Sequence, residues 1–458
     1  MKMKNEELNY KNFSIEEWKE NIINEIKKSE NKSFDDLIWD TNENFRLGPI
    51  YNQKSSKFKG KTHNHSDWKI EEKFKNITNK EILESLESGT NAILLLFPKI
   101  SDLKNIFNDV YINLINTSFK SDNLNELTNE FLTILRKKQI NPKIVSGSLK
   151  YDPLMDCLIN DSIENNIWKK IKNTLEYSSD LKLFKSITIE GENYLNFGAN
   201  IIQEVSFIFS ELIEYFTNIP KLDANKIQIN IGISTNYFFE IAKFRAIRII
   251  WLNILKIFKK KKVKLNLRAE TSLRTFTIFS QYSNILRSTS QCMSAIIGGS
   301  DIICINSCNY YDQSDLFSKR ISKNIQFILQ EEAYFGKVID PGSGSYYIEY
   351  LTDFICKEVW KKIRIIEKKD GWLKSVQKRI IQKEIEKNSL KQNKLFEQNK
   401  INLIGTNIYP DLNENISAIN KKKLEDSINN INNKSNSLNY KRLSENIEKL
   451  RITNLSKK

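Results

Sequence analysis

The sequence predicts an α/β fold, a (β/α)8 TIM-type barrel with an extended N-terminal arm and a helical C-terminal tail. Three observations carry this. From about residue 80, apolar runs suited to buried parallel strands alternate with helical periodicity. Four of those runs begin at 186, 227, 263 and 301. Their spacings of 41, 36 and 38 residues suit a strand, a loop, a helix of about twenty residues and a return loop. No G-x-G-x-x-G or G-x4-G-K-[ST] loop occurs, which disfavours an open doubly wound sheet.

The arm, residues 1–75, is polar with one amphipathic helix. Ser14 and Glu17 form a capping box, and Trp18, Ile22, Ile23 and Ile26 make one apolar face. Leu37-Ile38-Trp39 and Pro49-Ile50-Tyr51 are short apolar patches. Such an arm needs a surface to lie on, either its own barrel or another chain. The barrel, residues 76–410, offers strands at 92–97, 110–115, 143–146, 186–190, 227–233, 263–268 and 301–306, with an eighth not placed. Ile201, Val205, Ile208, Leu212 and Phe216 form one helical stripe that Pro220 closes. Ile241, Phe244, Ile247, Trp251, Ile254 and Phe258 form the next. Residues 370–400 read as a long charged helix, and the tail, 411–458, is Asn-, Lys- and Ser-rich with an amphipathic piece at 440–450.

Composition narrows the chemistry. The 458 residues carry a formal charge of +15, but the charges are scattered and read as solvated surface. The run Lys259–Lys262 with Lys264 lies between a helix and a strand, lacks aromatic interleaving, and reads as a turn; no nucleic acid is expected. His63 and His65 are the only histidines, in a polar loop where a surface role is expected; three-His metal sites are excluded. Cys157, Cys292, Cys304, Cys308 and Cys356 fit reduced thiols, with neither metal site nor disulfide framework expected. The segment 237–258 holds Glu240, Lys243, Arg245, Arg248 and Lys256, so no membrane span is expected; no membrane is expected as a partner either, and a cytoplasmic location is expected.

Residues 269–352 narrow the reading further. They include Thr271-Ser272, Thr277 and Arg287-x-Thr289, the run Arg320-Ile321-x-x-Asn324-x-Gln326-x-Ile328-Leu329-x-Glu331-Glu332, and Asp340-Pro341-x-x-Gly344-Ser345-Tyr346-Tyr347-x-Glu349. This segment resembles the barrel of the methylmalonyl-CoA mutase family. Glu16-Glu17-Trp18, Trp39-Asp40-Thr41 and Pro49-Ile50-Tyr51 resemble the arm of its small, or beta, subunit. Gly405-Thr406-Asn407 with Tyr409-Pro410 resembles the close of its barrel domain. The resemblance runs from about 13 to 410 and is thin between 55 and 140.

The resemblance implies an adenosylcobalamin-dependent holoenzyme that interconverts methylmalonyl-CoA and succinyl-CoA by radical rearrangement. It also implies that this chain is the degenerate partner. The family grips cobalt with a His in a D-x-H-x-x-G loop, and no His follows residue 65. Lys441-Arg442-Leu443 and Glu448-Lys449-Leu450-Arg451 resemble the linker to a cobalamin domain, which is expected to be absent. The active subunit carries G-Y-H-x-x-E-x-G-A; here the run is Gly191-Glu192-Asn193-Tyr194-Leu195-Asn196-Phe197-Gly198-Ala199. Glu192, Asn193 and Asn196 are thus degenerate, since an amide cannot share a proton as imidazole does and Glu192 would repel an acyl-CoA carboxylate. No Arg stands near Trp168-Lys169-Lys170, where the family clamps the substrate carboxylate. Gly191, Gly198, Ala199 and the 340–349 turn are expected to survive for the barrel's sake. The expectation is a non-catalytic small subunit that stabilises a catalytic large (alpha) subunit, with the cofactor on that partner and none bound here. The alternative is a substrate-binding mutase subunit that works with a separate cobalamin-binding chain.

Overall fold

The computed structural model describes residues 14–28, 33–52, 54–55, 60–63, 67–312, 315–414, 416, 421–422, 438 and 440–455. Eight parallel strands follow one another around a barrel. They are β1 (Lys69–Lys75), β2 (Ala92–Leu96), β3 (Asn116–Lys120), β4 (Ser146–Leu149), β5 (Phe184–Glu190), β6 (Ile227–Ile233), β7 (Asn266–Thr271) and β8 (Ile302–Cys304). Ile302 of β8 lies opposite Lys69 of β1. β5 closes the ring in two steps. Phe184–Lys185 pairs with β4, Ser186 interrupts the ladder, and Ile187–Glu190 pairs with β6.

The missing eighth strand is β1, which lies within the segment read above as arm. Its sequence, Lys-Ile-Glu-Glu-Lys-Phe-Lys, has no apolar run because the barrel interior is polar. Ile70 and Phe74 are buried toward the outer layer, whereas Glu71 and Lys73 meet β7 side chains across the axis. The same polarity displaced other expectations. The apolar stretch 110–115 is loop and a 3-10 turn (Ile112–Leu114), and β3 begins after it with Asn-Thr-Ser. Residues 142–144 form another such turn, so β4 starts at Ser146. β7 spans 266–271 rather than 263–268.

Outside the ring lie α2 (Asn79–Glu87), α3 (Leu124–Lys137), α4 (Ile167–Tyr177), α6 (Ile201–Asn218), α7 (Tyr237–Ile257), α8 (Ser283–Ile297) and α9 (Leu316–Phe327), with the short α5 (Glu192–Phe197) after β5. Residues 370–400 split into α11 (Gly371–Gln377) and α12 (Ile380–Glu397), which follow α10 (Tyr346–Glu367). α6 opens on a reciprocal cap between Asn200 and Gln203 and buries the expected stripe. α7 is buried on nearly all sides, charges included. Lys243 meets Glu204 and Glu240 at 2.9 and 2.7 Å, Arg245 meets Asp340, and Arg248 meets Asp301 at 3.0 Å. These charges therefore face neighbouring elements, and Lys256 in the last turn faces solvent.

In the arm, α1 (Ile15–Ile26) carries the Ser14–Glu17 box and buries none of its residues. A two-stranded hairpin (39–40 with 46–47) follows. Phe45 stacks between Phe239 and Phe354 at 5.2 and 4.7 Å, and Tyr51 packs on Tyr347 and Tyr350. His63 is not a surface residue: it is 6% exposed and wedged against Gly299, where an added Cβ would come within 2.5 Å of its Nδ1. A polar neighbourhood in sequence misled there, because the loop folds under the barrel. His65 lies outside the described residues. The five cysteines are free and buried. The last helix, α13 (Glu445–Leu455), docks on the loop after β7: Glu448 accepts from Ile278 N–H at 2.8 Å and pairs with Arg442 at 2.6 Å.

Candidate functional site at the barrel mouth

Parallel strands aim their C-terminal ends at one face, where barrel sites form. Glu190 is the last residue of β5, and Gly191 turns the chain into α5. A side chain at 191 is impossible: its Cβ would lie 2.3 Å from Ile208 Cδ1 and 2.7 Å from Asn230 O. Gly198 ends α5 with φ of +103° and presses on Ser389 of α12. These glycines shape the backbone around the mouth.

Of the three positions expected to be degenerate, two converge and one turns away. Asn193 donates through Nδ2 to Glu190 Oε2 at 3.1 Å, and its Oδ1 accepts from the Tyr440 hydroxyl. Tyr440 comes from the tail and stacks on Phe197 at 4.9 Å, with half its surface still exposed. Glu192 pairs with Lys150 at 2.7 Å. Asn196 accepts from Ser272 Oγ at 2.7 Å, tying α5 to the end of β7. Both side-chain polar atoms of Asn193 thus have a partner within the chain.

The axis beneath is paired side chain to side chain. Arg268, 1% exposed, reaches Glu71 (Nε to Oε1, 2.7 Å) and Glu270 (2.9 Å). Lys73 meets Glu270 at 2.5 Å and Asn306 at 2.7 Å. Lys120 meets both Glu190 oxygens at 3.2 Å. Gln228, Asn230, Ser118 and Ser148 complete the lining through hydrogen bonds of 2.8–3.4 Å. Burial alone would favour a neutral Lys150, but Glu192, Glu190 and Glu270 outweigh it and raise its pKa. Burial would likewise raise Glu270, but Lys73, Arg268 and Lys150 hold it well below the usual carboxylate range. Each carboxyl group of the column is matched to a Lys or Arg side chain.

Behind α5 sits a second acidic group. Asp152 and Glu211 are hydrogen-bonded to each other, with Tyr215 and Tyr194 donating to them at 3.3 and 2.9 Å. Burial pushes Asp152 up to about 7 and Glu211 well above its ordinary value, so the pair holds a proton. Off the axis, a cavity of about 530 Å³ is lined by Lys120, Lys150, Asp152, Lys170 and Glu190. Lys170, at the place expected for a carboxylate clamp, is engaged by Glu164, and Trp168 packs edge-on against Tyr215.

Sequence reasoning singled out Glu192, Asn193 and Asn196 but not Lys150, Glu190, Arg268, Glu270 and Tyr440, which surround them or line the axis. The alternation of charges in Lys69-x-Glu71-x-Lys73 and Arg268-x-Glu270 was a readable signal of a polar interior. Tyr440 gave no local signal, since 247 residues separate it from Asn193.

The family described as methylmalonyl-CoA mutase has a model that matches residues 96–455. The methylmalonyl-CoA mutase small subunit of Porphyromonas gingivalis is 30% identical over 414 residues, covering 82% of this chain and 67% of that protein. The methylmalonyl-CoA mutase large subunit of Propionibacterium freudenreichii subsp. shermanii is 26% identical over 293 residues, 61% of this chain and 40% of that protein. The mitochondrial methylmalonyl-CoA mutase of Homo sapiens is 29% identical over 297 residues, 61% and 39% respectively. The chain therefore spans two thirds of the small subunit and about two fifths of the other two.

Proposed function

The chain belongs to the methylmalonyl-CoA mutase family, and from that premise we propose that it is a non-catalytic small subunit that stabilises a catalytic large subunit of a cytoplasmic heterodimer. One observation carries the reading. At the mouth of the barrel, the position that resembles the family's substrate-facing His is Asn193, with its amide committed to Glu190 and Tyr440. A neutral amide so held cannot share a proton as imidazole does, and its oxygen and one of its two N–H donors are already taken up within the chain. Its neighbours Glu190 and Glu192 are acidic and paired with lysines. Lys120 and Lys150 are thereby taken up by carboxylates of this chain, where the carboxylate of methylmalonyl-CoA would otherwise pair with them.

The mouth does not fit adenosylcobalamin either. Among the described residues no imidazole reaches it; His63 sits by Gly299, at the entrance to β8 and so at the opposite end of the ring. Tail residues 440–445 lie on the loop after β7, bound through Leu443 N–H to Arg274 O at 2.9 Å. The cofactor therefore belongs with the partner in this reading, and the radical chemistry is the partner's. This chain contributes surface. Its arm brings an unburied apolar helix face and the exposed Trp39 and Ile50, groups suited to a protein interface.

Co-expression with a mutase large subunit tests this. A stable complex is expected, with methylmalonyl-CoA mutase activity that is unchanged by Asn193→Ala in this chain. Calorimetry of the chain alone with methylmalonyl-CoA is expected to show no saturable heat. Isomerisation of methylmalonyl-CoA by the chain alone with adenosylcobalamin would overturn the proposal, and so would a monodisperse monomer with no affinity for the large subunit.

A further inference from the structure

The face of the barrel opposite the mouth carries much of the molecule's charge. Three adjacent loops build it, those that enter β5, β6 and β7. Residues 180–185, 219–226 and 256–264 hold ten lysines and two aspartates, Asp180 and Asp223, a formal +8 of the chain's +15. The loops are knitted into one surface. Lys260 Nζ donates to Pro220 O at 2.6 Å and Leu222 O at 2.9 Å. Lys226 Nζ donates to Leu181 O at 2.7 Å, and Lys185 Nζ to Asn225 O at 2.8 Å. The ammonium groups crowd one another: burial, then the charge of Lys182, pushes Lys226 down to about 8 against the pull of Asp223. Lys182, Lys221, Lys259, Lys261 and Lys262 remain exposed.

Apolar tips stand on the same face. Leu183 is 51% exposed and Ile257 63%, each flanked by lysines in its own loop. The next two loops around the ring add Ile144, 52% exposed, and Leu114, 73% exposed. Protein interfaces favour Arg and aromatic side chains and are depleted in Lys. The three basic loops hold no Arg. A nucleic-acid backbone would use the lysines and leave Leu183 and Ile257 in water. An anionic bilayer uses both, since lysine stems reach headgroups while aliphatic tips enter the acyl boundary.

We propose that this face docks the protein on the surface of an anionic lipid bilayer. The contact is peripheral, since among the described residues no helix is long and apolar enough to cross a membrane. It is independent of the mutase reading, because it uses the end of the barrel opposite the mouth and none of the arm's α1, Trp39 or Ile50.

Vesicle sedimentation of the full chain tests it. Vesicles of phosphatidylcholine with about one third phosphatidylserine should pull the chain down at low salt, and pure phosphatidylcholine vesicles should not. The triple variant K259E/K261E/K262E, which spares the carbonyl-capping Lys260, should lower partitioning on the order of a hundredfold. The double variant L183S/I257S should lower it roughly tenfold. Both change exposed side chains, and an unshifted thermal midpoint confirms that the fold is intact. Inorganic phosphate at an ionic strength matched with chloride should compete no better than chloride. No sedimentation with the anionic vesicles would overturn the proposal. So would full retention by the lysine variant. Equal retention by L183S/I257S, with duplex DNA bound as tightly as vesicles, would assign the face to nucleic acid instead.

Discussion

Arg268 holds together the charges inside the barrel. It is the one cation touching Glu71 among the described contacts, and it shares Glu270 with Lys73. Arg268→Ala strands a buried carboxylate and is expected to cost about 3–5 kcal/mol, read from chemical denaturation midpoints. The Asp152–Glu211 pair makes a second demand. Both carboxyls are raised in the folded protein, so the folded state keeps a proton that the unfolded chain releases. That stabilisation is complete below about pH 4 and fades as pH rises through about 7. Urea midpoints should therefore fall between about pH 5 and pH 8, and Glu211→Gln should flatten that fall. At this scale the sequence singled out separate positions and was silent on how they pair. Asn193 stood out because a resemblance gave it something to be compared with. Lys150 and Glu190 looked like ordinary strand-end charges, and only the closed ring shows that they face each other.

Among the elements, legibility followed burial chemistry. α6 and α7 bury aliphatic stripes of helical period, so their positions could be read directly. β1, β3 and β4 turn polar atoms inward, so the apolar runs used as strand markers lay beside them. The arm was legible as sticky, but not its site of attachment, which is set by Phe239 and Phe354 far along the chain. Phe45 provides the test. Phe45→Ala removes both ring contacts and is expected to free the hairpin at a local cost of about 2–3 kcal/mol. Limited proteolysis should then cut within residues 39–52, while the thermal midpoint of the barrel moves little. A midpoint that drops as far as the local loss would mean that arm and barrel unfold together.

For the molecule as a whole, eight strands enclose a column of compensated charge, and the outer helices seal it with aliphatic packing around α6, α7 and α10. Ser186 is where this ring is finished: the ladder passes from β4 to β6 within a single residue, and beyond it Thr188 still reaches back, to Leu149 O and Tyr151 O at 2.7 and 3.1 Å. A hoop with one splice is strongest everywhere else. If the cylinder ever gapes, the slit should run along that joint, between the two halves of the fold rather than through either. Whatever braces the outer wall there, a neighbouring protein included, would act as a clasp on the entire structure.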